Sequence, residues 1–302
     1  MSGDHPKVAV LLAAYNGTAW IEKQLNSVLR QNNVSVRVFI SVDPSTDGTE
    51  VWCASFAATH PDVVLLQPCG RFGGAARNFF RLIRDVDFST FDFVALADQD
   101  DIWHPDKLDR AVTVLETGDV DAYSSNVTAF WPDGRRMLLD KAQPQVAWDH
   151  LFEAAGPGCT YVLNRRVADA FKASLVANWN AAQQVSLHDW YCYAFARSHG
   201  YRWHIDPVSG MDYRQHSDNQ VGANTGIGSF TSRLKTIANG WWPTQVLLID
   251  SLTARSPVLA GAEHRSRRWI FLKLIPRAWN CRRRPRDKLL FIVACLAAVV
   301  GR

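Results

Sequence analysis

The chain of 302 residues lacks several features that would settle its class quickly. Its six cysteines (Cys53, Cys69, Cys159, Cys192, Cys281 and Cys295) never fall at CxxC spacing, which argues against a zinc knuckle or a dithiol redox motif. Scattered cysteines of this kind fit a reducing cytosol. Long apolar runs are also missing. The longest, LLFIVACLAAVV (289–300), has twelve residues, whereas a membrane-spanning helix needs about 20. The N-terminal MSGDHPKVAVLLAAYNG places an acid before a short apolar run and has no basic leader, so it reads as a first strand, not a signal peptide. Neither an internal repeat nor a low-complexity linker is present. Charged residues make up 21% and hydrophobic residues 47%, which excludes a disordered chain and suffices for one large domain with an appendage.

Charge is unevenly placed. Residues 264–288 hold ten Lys/Arg and one Asp, so this segment carries +9 of a chain whose net charge is +4, leaving the body at −5. An acidic body does not suit a nucleic-acid binder. The basic block also contains Trp269, Phe271 and Trp279 and runs into the apolar end. That mixture fits a segment lying on an anionic membrane surface. A helix packed on the main domain with its arginines in water is the competing reading.

Strands and helices alternate along the first hundred residues. KVAVLLA (7–13), SVRVFISV (35–42), VVLLQ (63–67) and FDFVALA (91–97) read as strands. Helices are expected over 18–31, with Thr18 as the cap, after the turn at 45–48, and over 73–86. The alternation predicts βαβ units and a mainly parallel sheet flanked by helices. After about residue 118 the pattern mixes strands and helices, and beyond 229 it is helical. We divide the chain into a domain over 1–228, with halves at about 1–118 and 119–228, and a helical basic region over 229–302.

In such sheets ligands bind beyond the carboxyl ends of the strands. The loops AYNG (14–17), VDPSTDG (42–48) and DQDD (98–101) all follow strands, so they are expected at one edge. Three carboxylates at the end of a buried strand repel one another, and folding does not require them there. They could cap the helix after Pro105, or hold a divalent cation such as Mg²⁺ or Mn²⁺ beside a substrate phosphate. Asp43 is either a turn residue or an acceptor for the imide N–H of uracil or thymine. Asp189, in LHDWY (187–191), is either a helix N-terminal acid or a general base. Trp103 and Trp190, two of twelve tryptophans, flank these positions and serve as core or as sugar-stacking rings.

Taken in order, AYNG, DPSTDGT, GGAARNF, LADQDD, HDW and YRQH over roughly residues 7–225 closely resemble glycosyltransferase family 2, the inverting group with the GT-A fold. Within it the likeness is to bacterial rhamnosyltransferase-like enzymes of O-antigen and capsule assembly. The resemblance implies a Rossmann-like α/β domain, here with a helical C-terminal extension. It implies metal-dependent transfer of a sugar, rhamnose from dTDP-rhamnose among the candidates, to a hydroxyl of a saccharide acceptor. That acceptor is expected to be lipid-linked, and the enzyme to be cytoplasmic and peripheral on the inner face of the plasma membrane. Carried over by position, Tyr15 and Asn16 belong to the first nucleotide-binding loop and Asp43 to the pyrimidine contact, with Val42 and Pro44 where the family usually has Asp and Gly. Ala75, Arg77 and Asn78 match the segment along the nucleotide. Asp98 matches the ribose-side acid, Asp100 the metal ligand and Asp189 the base. Arg214 or His216 is expected to face the diphosphate, and His216 is grouped with Asp100 as a metal ligand.

Two alternatives remain to be weighed. A nucleotidylyltransferase would want a glycine-rich, basic phosphate loop after the first strand, and AAYNGTAW does not supply it. A catalytically inactive nucleotide-sugar or membrane-binding accessory protein would be expected to lose Asp100 or Asp189, and both are present.

Overall fold

The computed structural model describes residues 5–216, 240–261 and 267–300. The boundary expected at 228/229 lies outside the described residues. The elements in chain order are β1 (Lys7–Ala14), α1 (Ile21–Leu29), β2 (Ser35–Val42), α2 (Thr49–Thr59), β3 (Val63–Leu65), α3 (Ala75–Asp85), β4 (Phe93–Asp98), β5 (Ile102–Trp103), α4 (Lys107–Glu116), β6 (Ala122–Phe130), β7 (Arg136–Leu139), β8 (Val162–Asn164), α5 (Arg165–Ala177), α6 (Trp179–Ala182), α7 (His188–Ser198), β9 (Trp203–Arg214), α8 (Trp241–Leu252), α9 (Arg267–Leu274) and α10 (Pro285–Val300).

The first strand shows how the sheet is built. Its side chains alternate between two hydrophobic clusters, as a period of two requires. Val8, Val10, Leu12 and Ala14 pack with Ile21, Leu25 and Val28 of α1 and Leu108 and Ala111 of α4. Ala9, Leu11 and Ala13 pack with Phe79 and Phe80 of α3 and with α5 and α7. A strand covered on both faces must be apolar throughout, and seven of its eight residues are buried.

The strand order is β3-β2-β1-β4-β8-β6-β9-β5, with β7 beside β6. The pairs β3/β2, β2/β1, β1/β4 and β6/β9 are parallel. The pairs β4/β8, β8/β6, β6/β7 and β9/β5 are antiparallel. The parallel half is the expected Rossmann-like unit, and β1, β2 and β4 all end at the same edge.

Thr18 does not cap α1, which starts at Ile21. Its backbone N–H and hydroxyl both donate to Asp47 Oδ2, at 3.0 and 2.7 Å. The acids of DQDD do not cap α4 either. The helix begins at Lys107, and Leu108 N–H donates instead to Gln31 Oε1 at 2.9 Å.

The C-terminal helices pack on the main domain. Phe271, Phe291 and Cys295 are buried in the same cluster as Phe152 and Phe171. The arginine run expected to face water or membrane is partly consumed by this packing. Arg283 is 4% exposed and reaches Asp149 Oδ2 at 3.2 Å and the Ala154 carbonyl at 2.7 Å. Arg282 donates to the Phe152 carbonyl at 2.9 Å, and Trp148 N–H donates to the Asn280 carbonyl at 2.8 Å. Asp149, fully buried, also accepts from Tyr193 Oη at 2.8 Å and Arg197 Nη1 at 3.2 Å. Among the described residues no helix is long and apolar enough to cross a membrane.

Removing one partner of a buried ion pair leaves the other charge uncompensated. Arg283→Met is therefore expected to lower stability by about 3 kcal/mol, read by urea unfolding. An unchanged midpoint would mean that Arg197 alone satisfies Asp149.

Candidate active site

Three loops meet at the carboxyl edge of the sheet, and their hydrogen bonds fix them to one another. The side chain of Gln99 bridges loop to loop. Tyr15 N–H donates to its Oε1 at 2.8 Å, and its Nε2 donates to the Tyr15 carbonyl at 2.7 Å. This contact explains Gly17, where a Cβ would lie 2.1 Å from Gln99 Oε1. Asn16 adopts the left-handed conformation, φ 47°, that asparagine tolerates. Its N–H donates to Ser45 Oγ at 3.1 Å, and its Oδ1 accepts from Thr46 N–H at 2.8 Å. Asp47 gathers the loop: burial works to raise its carboxyl, but hydrogen bonds from Thr49 and Thr18 outweigh that and hold it at about 2. The backbone of Tyr15 and Asn16 is thus set by side chains of the other two loops, while the Tyr15 ring stays exposed.

The acidic loop is a dense cluster of like charge. Asp98 is half-buried, and burial, with Asp100 beside it, pushes its carboxyl up to about 7. Asp101 is fully buried and raised well above the usual range by burial and by its two acidic neighbours. Its Oδ1 accepts from Arg214 N–H at 3.1 Å, and its Oδ2 is buried without a hydrogen-bond partner. Asp100 Oδ2 lies 2.7 Å from His216 Nε2, and the Asp100 carbonyl accepts from Arg214 Nε at 2.7 Å. His216 stacks on Trp20 with ring centroids 4.2 Å apart. The expected pair Asp100 and His216 is therefore in contact. A second grouping places Asp98, Asp101 and Cys159, whose ligating atoms lie within 4.8 Å of one another. Burial raises the Cys159 thiol well above its usual range, and a protonated soft thiol suits neither Mg²⁺ nor Mn²⁺.

Lys107 lies beneath this loop. It is 1% exposed, its ammonium sits 3.5 Å from the Trp103 ring centroid, and no hydrogen bond reaches it. Burial lowers it to about 7, while Cys159 and Asp101 act to raise it. Trp103 is accordingly a buried ring under the site. Nothing in HPDKLD distinguishes this lysine from a solvent-facing one. Gln99, Asp47 and Trp20 were missed for the same reason, since each acts through a loop distant in sequence.

On the donor side, Asp43 is 4% exposed and both its oxygens accept backbone N–H bonds, from Phe72 at 2.7 Å and Gly73 at 2.8 Å. The carboxylate thus anchors the GGAARNF segment at the end of β2. Ala75 opens α3. Asn78 is buried, and its Nδ2 donates to the carbonyls of Ser41 at 3.0 Å and Ala14 at 3.4 Å. It ties α3 to the ends of β1 and β2 and does not face an open groove. Arg77 is exposed and donates to the Gln183 carbonyl at 3.0 Å.

Asp189 sits in the first turn of α7, half-buried. Burial pushes its carboxyl up to about 6, against lowering by the Trp190 and Asp189 backbone N–H groups and by the charge of Lys141. Trp190 N–H donates to Asp189 Oδ1 at 2.8 Å, so the helix-acid role is realised at one oxygen. Asp189 also raises Asp98 through space, which places the two carboxylates in one electrostatic field. Trp190 is buried and donates to the His150 carbonyl at 3.0 Å, a core role. Next to it, His188 stacks on Phe79 at 3.9 Å and is held neutral by burial, which lowers it to about 3.

Residues 5–271 match the family model described as "Glycosyltransferase like family 2". The chain belongs to glycosyltransferase family 2. It is 46% identical over 244 residues to the dTDP-rhamnosyl transferase RfbG of Shigella flexneri, covering 80% of this chain and 84% of that protein. Among solved structures, TarS 1-349 of S. aureus in complex with UDP-GlcNAc matches with a TM-score of 0.57 at 14% identity, over 97% of this chain and 81% of that one. The mannosyltransferase PcManGT of Pyrobaculum calidifontis, in complex with GDP-Man and Mn2+, matches with a TM-score of 0.53 at 20% identity, over 97% and 81%. These structural likenesses establish the fold. The chain is thus a glycosyltransferase with the expected mixed α/β architecture.

The family 2 enzyme holds Asp189 through a tight approach. A Cβ at Gly158 would lie 2.4 Å from His188 Nε2 and 3.1 Å from Asp189 Cβ. Gly158→Ala must displace His188, and overpacking of this kind is expected to lower stability by about 1–3 kcal/mol. A thermal melt tests it, and an unshifted Tm would show that the His188 ring gives way without strain.

Proposed function

We propose that the chain transfers rhamnose from dTDP-rhamnose, with inversion, to a hydroxyl of a lipid-linked saccharide during cell-surface polysaccharide synthesis. The observation that carries the mechanism is a half-buried carboxyl, Asp189, raised to about 6 beside the acidic loop that follows β4. The similarity to a dTDP-rhamnosyl transferase supports the donor. In this reading the acceptor oxygen attacks C1 of the sugar, its proton passes to an oxygen of Asp189, and the bond from C1 to the diphosphate breaks. A single base without a second nucleophile gives direct displacement and inversion. Tyr15, Asn16 and the α3 segment at Ala75 and Arg77 border the nucleotide, and Arg214 lies beside the diphosphate. Asp43 accepts from the pyrimidine imide with lone pairs left over from its bonds to Phe72 and Gly73. Asn78 acts by holding the loop ends together.

The donor set fits a hard divalent cation. Asp100 and His216 would supply an oxygen and an imidazole ligand, with Asp98 on the ribose side, and the orphaned Asp101 oxygen and the crowding of like charge disfavour the loop without a counter-ion. Bound there, Mg²⁺ or Mn²⁺ would neutralise charge developing on the leaving diphosphate. The enzyme works on the cytoplasmic face of the plasma membrane, held by its C-terminal region.

Asp189→Asn keeps the shape but cannot take a proton. Transfer is expected to fall by about 10²–10⁴ with dTDP binding retained; near-normal turnover would remove Asp189 from this role. The raised carboxyl also sets the pH profile, because the base works only when ionised. Activity should be full above pH 7 and fall about tenfold per unit below 6. A flat profile down to pH 5 would count against it.

Metal dependence is tested separately, by calorimetry of dTDP with Mn²⁺ and with EDTA. Binding is expected to weaken on chelation and on Asp100→Ala. Tight binding in EDTA would overturn the metal reading, and equal affinity for dTDP and ADP the pyrimidine assignment.

A further inference from the structure

We infer that the enzyme docks on an anionic phospholipid surface through one face of α10, formed by Leu289, Val293 and Leu296, and not through the arginine cluster before it. The inference rests on the membrane attachment proposed above and names the surface that performs it.

From Leu289 to Val300 the helix contains no polar residue. One face is used inside the protein: Phe291, Ala294 and Cys295 are buried, with Phe291 against Phe152 and Trp242 at centroid distances of 5.2 and 5.7 Å. Leu289, Val293 and Leu296, spaced i, i+4 and i+7, form another face and are 57%, 49% and 49% exposed. A surface helix of a globular protein normally turns polar residues outward. This one is apolar on both sides yet too short to span a bilayer. Leu272 on α9 and Trp279 on the 3-10 turn Ile275–Asn280 are also exposed, at 53% and 57%, on the segments that pack against α10.

Charge favours lipid over a second copy of the chain. Arg286, whose side chain is 75% exposed and lies 3.6 Å from the adjacent Asp287, and Lys288 stand in the turn just before Leu289 and leave it with a net positive charge. Cations beside an inserted apolar stripe match an interface rich in anionic headgroups. Three arginines that the sequence offered for this role, those of the run just before the helix, are otherwise engaged: Arg283 on Asp149, Arg282 on Phe152 and Glu153, and Arg284 at 3.8 Å from Asp140. Those contacts seat the helix on residues 148–155, the wall that leads into Gly158 and Asp189. A bilayer held by α10 therefore stands in a fixed relation to the catalytic face.

The test is flotation of the full chain with phosphatidylglycerol/phosphatidylcholine vesicles, with dTDP calorimetry as the check on folding. Wild type is expected to float at low salt and less so at high salt. Leu289→Gln/Val293→Gln/Leu296→Gln is expected to weaken partitioning on the order of 100-fold, with dTDP affinity unchanged; the single Val293→Asp variant should weaken it in the same direction. If wild type floats and both variants float equally well, the stripe is overturned and the membrane reading survives. If wild type does not float, the membrane reading fails as well. If wild type is a dimer by sedimentation equilibrium and the triple variant is a monomer with unaltered flotation, the stripe is a contact between copies and the inference is wrong.

Discussion

Three carboxylates within four residues at the end of a buried strand constrain everything around them. Burial and the charge of Asp100 raise Asp98 and Asp101, and the loop is held by groups from several directions. Arg214 fixes it from β9, through its backbone to Asp101 and its side chain to the Asp100 carbonyl. His216 meets Asp100, and Trp20 backs the imidazole. Gln99 stitches the loop to β1, and the buried Lys107 lies beneath it, lowered by burial to about 7 while Asp101 and Cys159 act to raise it. The pairing of β5 with β9, Ile102 with Asp212 and Trp103 with Met211, brings residues more than a hundred positions apart into this arrangement.

Much of the fold was legible because burial on both faces leaves a clear mark. Strands such as VAVLLA and FVALA must be apolar throughout, and the helices α1 and α3 beside them carry one apolar stripe each. The edge where the loops meet followed from that alternation. Two strands escaped: β5 has two residues and β7 four, too short for a period to register. Thr18 was misassigned because a hydroxyl before a helix looks the same whether it caps that helix or bonds a distant acid, here Asp47. Lys107 and Arg283 escaped for a related reason. Each is a cation in a polar stretch, and only the tertiary structure reveals that it is buried, Arg283 against an aspartate 134 positions earlier.

The candidate site was legible as a set of residue types at strand ends, but not as a division of labour among them. Asp43 and Asn78 illustrate the difference. Both were placed along the nucleotide by resemblance, and both lie at the right edge. Yet Asn78 spends its amide donors on the ends of β1 and β2, and Asp43 accepts from the backbone of the next loop with each oxygen. Much of what reads as ligand recognition in the sequence is also the means by which adjacent loops acquire a fixed shape.

The same reasoning separates Asp189 from Asp98, two raised carboxyls in one field. Asp98 owes part of its rise to Asp100, so any group that neutralises the loop lowers it again. The rise of Asp189 has burial as its cause, opposed by two backbone N–H groups and by Lys141. Its surroundings include the His188 ring, which burial keeps neutral and which therefore adds no charge. Asp100 acts on Asp98 within the loop, and Asp98 and Asp189 also act on each other through space. Groups of the same chemical type are driven toward different protonation behaviour by what lies next to them: Asp98 answers both to burial and to the charge of its own loop, Asp189 first to its burial.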